Sequence, residues 1–228
     1  MFTPRRIVRV LTATLFLAPL VGCTSNAPSA APSPPAALSL SAAPSVPAAS
    51  LTPAISVAEA GEQLMHRLLA GPVGAQHPAS GVLDLDGAVN AVLGKGTPAA
   101  KAELRDQLSQ QGFVVGAGLS WTAADGSRSS TLLMRFSAET GAGNTADRLA
   151  GDLRNAHPDT VFTDPGDLST GAVSSTPDEH GNACVVLIAP HGDAVVLVSY
   201  FTPTPDKAAA VSLLHRQLQG LPTPGLPW

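Results

Sequence analysis

Two near-continuous apolar runs, Ala183 to Ala189 and Ala194 to Phe201, lie only four residues apart, joined by Pro190-His191-Gly192-Asp193. Runs of seven to eight apolar residues bounded by turn residues read as strands covered on both faces, or on one face with a second layer beyond it. A chain that carries such a pair must supply other elements to cover it. Cys184 falls within the first run, where a thiol behaves as a small apolar group.

The covering elements are legible upstream and downstream. From Phe113 the period is two: Phe113, Val115, Ala117, Leu119 and Trp121 fall on one face, opposite Val114, Gly116, Gly118 and Ser120. Asp125-Gly126 is a turn signal, and Thr131 to Phe136 returns with Leu132, Met134 and Phe136 aligned. This predicts a hairpin with a buried Trp121 face, and Gly116 and Gly118 point to a close backbone approach or a bulge on the other. Asn144 then caps a helix through about Ala156. Thr204-Pro205-Asp206 opens a last helix with Val211, Leu214 and Leu218 inward and Gly220 at its end. The order hairpin–helix therefore occurs twice, from Phe113 to Ala156 and from Asn182 to Gln219.

Three helices are expected before these units. Ser56-Val57-Ala58-Glu59 is a capping box for a helix that Gly71-Pro72 stops. Asp84 or Asp86 caps a short helix ending at Gly94, and Thr97-Pro98 opens another ending at Gly112. Residues 73–80 read as loop. Val161-Phe162 and Ala172-Val173 read as short strands around a turn. The expected class is α+β: a mostly antiparallel sheet built from two ββα units, with additional N-terminal helices. The roughly 170 residues from 57 to 228 suffice for one core.

The N-terminus is of another kind. Arg5, Arg6 and Arg9 precede an apolar stretch of about a dozen residues, too short for a bilayer core that needs about 20. It ends at Leu20-Val21-Gly22-Cys23, which resembles the lipobox of bacterial lipoproteins. The resemblance implies a signal peptide over 1–22, cleavage after Gly22, and a diacylglyceryl thioether on Cys23 with an added acyl chain such as palmitate. Two or more chains make such attachment durable. Arg5-Arg6 also raises twin-arginine export, but Arg9 interrupts the expected apolar pair, which favours the general secretory route.

Residues 24–56 are almost wholly Ala, Pro and Ser, with too little apolar surface to offset ordering entropy. A disordered tether is expected, reaching roughly 100 Å when stretched. The domain plan is thus leader 1–22, lipidated Cys23 and tether 23–56, and a single domain over 57–228. The expected location is the extracytoplasmic face of the cell membrane.

Charge narrows the partners. Removing the leader takes three of the 13 Lys plus Arg and none of the 17 acids, leaving a net charge of about −7. Nucleic acid and anionic lipid surfaces favour the opposite balance. With Cys23 committed to lipid, Cys184 has no intrachain partner. Low aromatic and charged content with abundant Ala, Gly and Pro resembles the proteins of high-GC actinobacteria. Anchor, tether and ββα order together resemble small α+β modules of actinobacterial lipoproteins and sensor-type ectodomains; no functional residue is carried over by that likeness.

Motifs that spell chemistry fail on context. Gly141-Ala142-Gly143-Asn144-Thr145-Ala146 fits Gly-x-Gly-x-x-Ala, but a hairpin strand precedes it, not the strand of a βαβ unit. Asp84-Leu85-Asp86-Gly87 lacks the Glu that a calcium loop needs at its twelfth position, where Lys95 stands. No Gly-x-Ser-x-Gly elbow occurs. His180, Cys184 and His191 are close in sequence, yet a strand between them sets the two imidazoles roughly 30 Å apart, too far for one ion. What remains is a polar, pH-responsive spot at the tip formed by His191 and Asp193. The expected function is a non-catalytic binding, sensing or interaction module without a cofactor, engaging an envelope ligand or partner protein. Two alternatives stand beside it: an envelope enzyme whose residues converge only in space, and a carrier of an apolar molecule with a cavity lined by Leu119, Trp121 and Val196.

Overall fold

A computed structural model describes residues 56–164, 166, 169–174 and 176–225. The leader, Cys23 and the tether lie outside these residues, except for Ser56. The described chain is α+β and orders as α1 (Val57–Arg67), β1 (Gln76–Leu83), α2 (Leu85–Leu93), α3 (Pro98–Gln110), β2 (Phe113–Thr122), β3 (Arg128–Phe136), α4 (Glu139–Ala156), β4 (Val161–Asp164), β5 (Ser169–Ser174), β6 (Ala183–His191), β7 (Ala194–Thr202) and α5 (Lys207–Gln219). The strands form one sheet in the order β1-β2-β3-β7-β6-β5-β4, and every neighbouring pair is antiparallel. Among these residues no helix is long and apolar enough to cross a membrane.

The two apolar runs become β6 and β7, and β7 lies at the centre of the sheet. Both faces of it are covered. Val196 and Val198 point into a layer completed by Ala60 and Leu64 of α1 and Ala210, Leu213 and Leu214 of α5. Val195 and Leu197 point the other way, towards Val89 and Val92 of α2, Leu104 and Leu108 of α3, and Leu149 and Leu153 of α4. The hairpin–helix order does repeat as β2-β3-α4 and β6-β7-α5. Its two helices pack on opposite faces, so a two-fold axis normal to the sheet does not relate the units.

Local signals set most boundaries. Ser56 Oγ accepts from Glu59 N–H, Asp84 Oδ1 from Gly87 N–H and Thr97 Oγ1 from Ala100 N–H, each satisfying an orphan donor of its helix. Of the two candidate acids it is therefore Asp84 that caps α2; Asp86 instead pairs with Arg105 of α3 at 2.7 Å.

Four expectations are corrected. Residues 76–80, read as loop, belong to the edge strand β1, whose register against β2 shifts between Gln76 and Ala79. Such a strand carries little periodicity of its own, because pairing with β2 holds it. The helix expected from an Asn144 cap starts at Glu139, and its N-cap Ala138 makes no side-chain bond. Asn144 lies a turn inside, donating from Nδ2 to Gln111 Oε1 at 3.0 Å. The last helix is capped by Asp206, which accepts from Ala209 N–H at 2.9 Å, leaving Pro205 outside it. Its fully buried face is Ala210, Leu213, Leu214 and Gln217, with Val211 and Leu218 at the margins. Finally, a β-bulge between Phe113 and Val115 turns Phe113 onto the face opposite Val115. There it meets Phe136 edge-to-face, with ring centroids 6.0 Å apart.

Candidate functional site

The tip at His191 and Asp193 is tied into the fold. His191 Nε2–H donates to the Pro222 carbonyl at 2.8 Å, and Asp193 Oδ2 accepts from Arg135 Nε at 3.1 Å. The backbone carbonyl of Asp193 also accepts from Phe136 N–H. Gly192 turns the chain at φ +56°, and a Cβ there would stand 3.3 Å from Pro224 Cα. The two side chains are thus spent in different directions, one on the C-terminal segment and one on β3.

Cys184 is partly buried on β6, and burial pushes its thiol up to about 12 despite a bond from the Tyr200 backbone. It is no nucleophile near neutral pH. His180 stands three residues before β6 and His191 closes it, so the strand separates them. Leu119, Trp121 and Val196, the lining expected of a carrier cavity, belong to the packed layer beneath α1 and α5. Val196 is fully buried, and the Trp121 ring lies so close to Gly71 that a Cβ there would stand 2.8 Å from Trp121 Cγ.

The opposite face of the sheet carries a recess that none of these readings anticipated. Register aligns Ser120 of β2, Ser130 of β3 and Ser199 of β7 as successive cross-strand neighbours. One row towards α2, Gly118, Leu132 and Leu197 align in the same way. Alternation along each strand puts all six on the face that α2, α3 and α4 cover. Gly118 contributes no side chain, so the sheet is locally thin beneath Ala91 of α2. A recess of about 40 Å³ results, lined by Ala91, Gly118, Ser130, Thr131, Leu132, Leu197 and Ser199. Space on this scale is roughly three times what one buried water needs.

Ser199 is only 3 % exposed, and it borders the recess across from Ser130. Beyond Ser199 the next row brings Arg128 and Phe201 opposite each other, with the Arg128 guanidinium 5.0 Å from the Phe201 ring centre. Arg128 also pairs with Asp178. Burial alone would raise the Asp178 carboxyl, but bonds from Asn182 and His180 N–H and the Arg128 charge outweigh it and hold the group below the usual carboxylate range. The two charges offset each other, although Arg128 Nε is buried without a hydrogen-bond partner, and neither residue lines the recess.

No His, Cys, Asp, Glu, Lys or Arg lines the recess. Ser130 and Ser199 therefore have no base at hand, and the arrangement suits hydrogen bonding to a neutral group, not acyl transfer. Two signals for it stood in the sequence: Gly118 in a strand, and Ser199 interrupting an otherwise apolar run. Only their register made them neighbours.

A sheet with every pair antiparallel and helices on both faces defines a two-sided α+β domain with a small neutral recess. The chain belongs to the family described as "Domain of unknown function (DUF7373) N-terminal", whose profile matches residues 73–220. No curated protein matches it. Among solved structures the chain is similar to the extracellular domain of PknH from Mycobacterium tuberculosis, at 14 % identity and a TM-score of 0.46, over 70 % of this chain and 94 % of that one.

Proposed function

We propose that this protein is a non-catalytic binding module of the cell envelope, held at the extracytoplasmic face of the membrane by lipid on Cys23 and extended on the 24–56 tether. The observation that carries the binding role is the recess itself, where Ser130 and Ser199, paired across β3 and β7, border the gap left by Gly118. The placement rests on Arg5, Arg6, Arg9, the short apolar stretch and Leu20-Val21-Gly22-Cys23. Binding is favoured over catalysis because the recess offers hydroxyls and apolar walls with no acid, base or activated nucleophile among its lining.

The placement is tested by expressing the chain and its Cys23→Ser variant with labelled palmitate and fractionating the cells. Label and membrane association are expected for the native chain and lost in the variant. An unlabelled native chain, or a variant still held in membranes, defeats the placement. The binding role is tested by mass spectrometry of small molecules that copurify with the full chain. A recurrent species displaced by filling the recess supports it, and a species retained equally after filling overturns it.

A further inference from the structure

We infer that the recess accepts the acetamido group of an N-acetylated amino sugar, with Ser130 and Ser199 as the hydrogen-bonding pair; this rests on the binding-module reading above. Size comes first. About 40 Å³ holds a terminal group on the order of four heavy atoms and no whole sugar ring. Charge comes next. No ionised side chain faces the space, so a carboxylate, phosphate or ammonium would be desolvated there without a counter-charge.

The lining then divides by chemistry. Ala91, Leu132 and Leu197 form an apolar wall that fits a methyl group. Ser130 and Ser199, directly paired across β3 and β7, present two hydroxyls from one face. Cross-strand neighbours on one face lie about 4.5–5.5 Å apart, close enough for both hydroxyls to serve one carbonyl oxygen with its two lone pairs. A methyl beside a neutral carbonyl is an acetamide. A bare hydroxymethyl group would leave the wall facing polar atoms.

What continues outside the recess favours a sugar as the bearer of that group. Along β2, Ser120, whose Oγ donates to the Ala79 carbonyl at 3.4 Å and keeps its lone pairs to accept, and Thr122 extend the same face as two further, partly exposed hydroxyl residues. They can meet ring hydroxyls, whereas an acetylated peptide would need backbone partners that this covered sheet interior does not offer.

The test is saturation-transfer NMR on the full chain with N-acetylglucosamine, glucosamine and an N-acetylated alanine amide. Transfer to the acetyl methyl of N-acetylglucosamine is expected, with none to glucosamine. Gly118→Val should reduce it at least tenfold. The backbone of Gly118 is ordinary strand, and a Cβ there meets the terminal Leu83 Cδ1 at 3.3 Å and, at ordinary van der Waals distance, the Thr131 carbonyl at 3.9 Å, so the variant fills the recess with the sheet kept. Ser199→Ala, which removes one oxygen and adds nothing, should reduce transfer severalfold and serves if the larger variant folds poorly. Absence of transfer from the native chain, or equal transfer in both variants, overturns the assignment. Stronger transfer to the acetylated alanine amide overturns the sugar in favour of a peptide end. Where a copurifying species vanishes in Gly118→Val but N-acetylglucosamine is silent, the acetamido class fails and the binding module stands. Where that species persists unchanged, both fail.

Discussion

Gln217 of α5 closes the end of α1 by bonding Leu69. Its Oε1 accepts from Leu69 N–H at 2.8 Å while its Nε2 donates to the Arg67 carbonyl, also at 2.8 Å. The side chain is 1 % exposed, and both of its polar ends are satisfied, Nε2 by a carbonyl that the helix end leaves orphaned and Oε1 by the N–H just beyond it. The first and last helices of the domain are joined through one amide.

Replacing that amide should therefore cost more than an ordinary hydrogen bond. Gln217→Ala leaves a buried donor and a buried acceptor without partners, and a loss of about 2–3 kcal/mol is expected. Urea unfolding followed by tryptophan fluorescence reads it, since Trp121 lies in the same layer. A change under about 0.5 kcal/mol would show that water replaces the amide freely.

Two glycines of α4 should respond in opposite directions to the same substitution. Gly151 has open space around its missing Cβ, so Gly151→Ala should gain about 0.5–1 kcal/mol from helix propensity. At Gly141 a Cβ would overlap the Gln111 carbonyl at the end of α3, so Gly141→Ala should lose about 1–3 kcal/mol. Thermal melts of the two variants decide it, and equal shifts would refute the close approach.

Acid should act in part through Asp178. Its carboxyl is held lower in the folded chain than in the unfolded one, so the stability it contributes is complete above the unfolded value near 3.9 and disappears as pH falls through the folded value. Native protein should lose stability more steeply than Asp178→Asn below about pH 4. Parallel slopes in denaturant titrations between pH 5 and pH 2 would remove Asp178 from the account.

Cys184 should be silent in the native fold. With its thiol pushed up to about 12, the thiolate fraction at pH 8 is on the order of 10⁻⁴ against roughly one quarter for a free cysteine. In the Cys23→Ser chain, where Cys184 is the sole thiol, reaction with a disulfide reagent should be at least a hundredfold slower than after unfolding. Fast labelling without unfolding would mean that β6 opens.

The elements that sequence reading placed well are those whose cause lies within a few residues. Thr97-Pro98 and Asp84 stop their helices' orphan donors locally, and the alternation from Val115 to Trp121 needs only a pleat. Its misplacements share the opposite property. Asn144 has the residue type of a good cap, yet helix precedes it where Gly141 slides under Gln111, thirty residues earlier in the chain. β1 was invisible because its partner β2 begins some thirty residues later. The ties of the tip at His191 and Asp193 are not legible in sequence because neither Pro222 nor Arg135 is near it in the chain.

By itself, then, the order of residues determined the class of fold, the central pair β6 and β7, most helix caps, the acidic balance and the expectation of a lipid anchor. Periodicity, capping and turn chemistry act over one to four residues and are written in the chain directly. Only the tertiary structure decided which face each helix covers, where the edge strand pairs, and that Gly118, Ser130 and Ser199 share one recess. Those outcomes depend on strand register, which places residues from three strands side by side although up to 81 positions separate them.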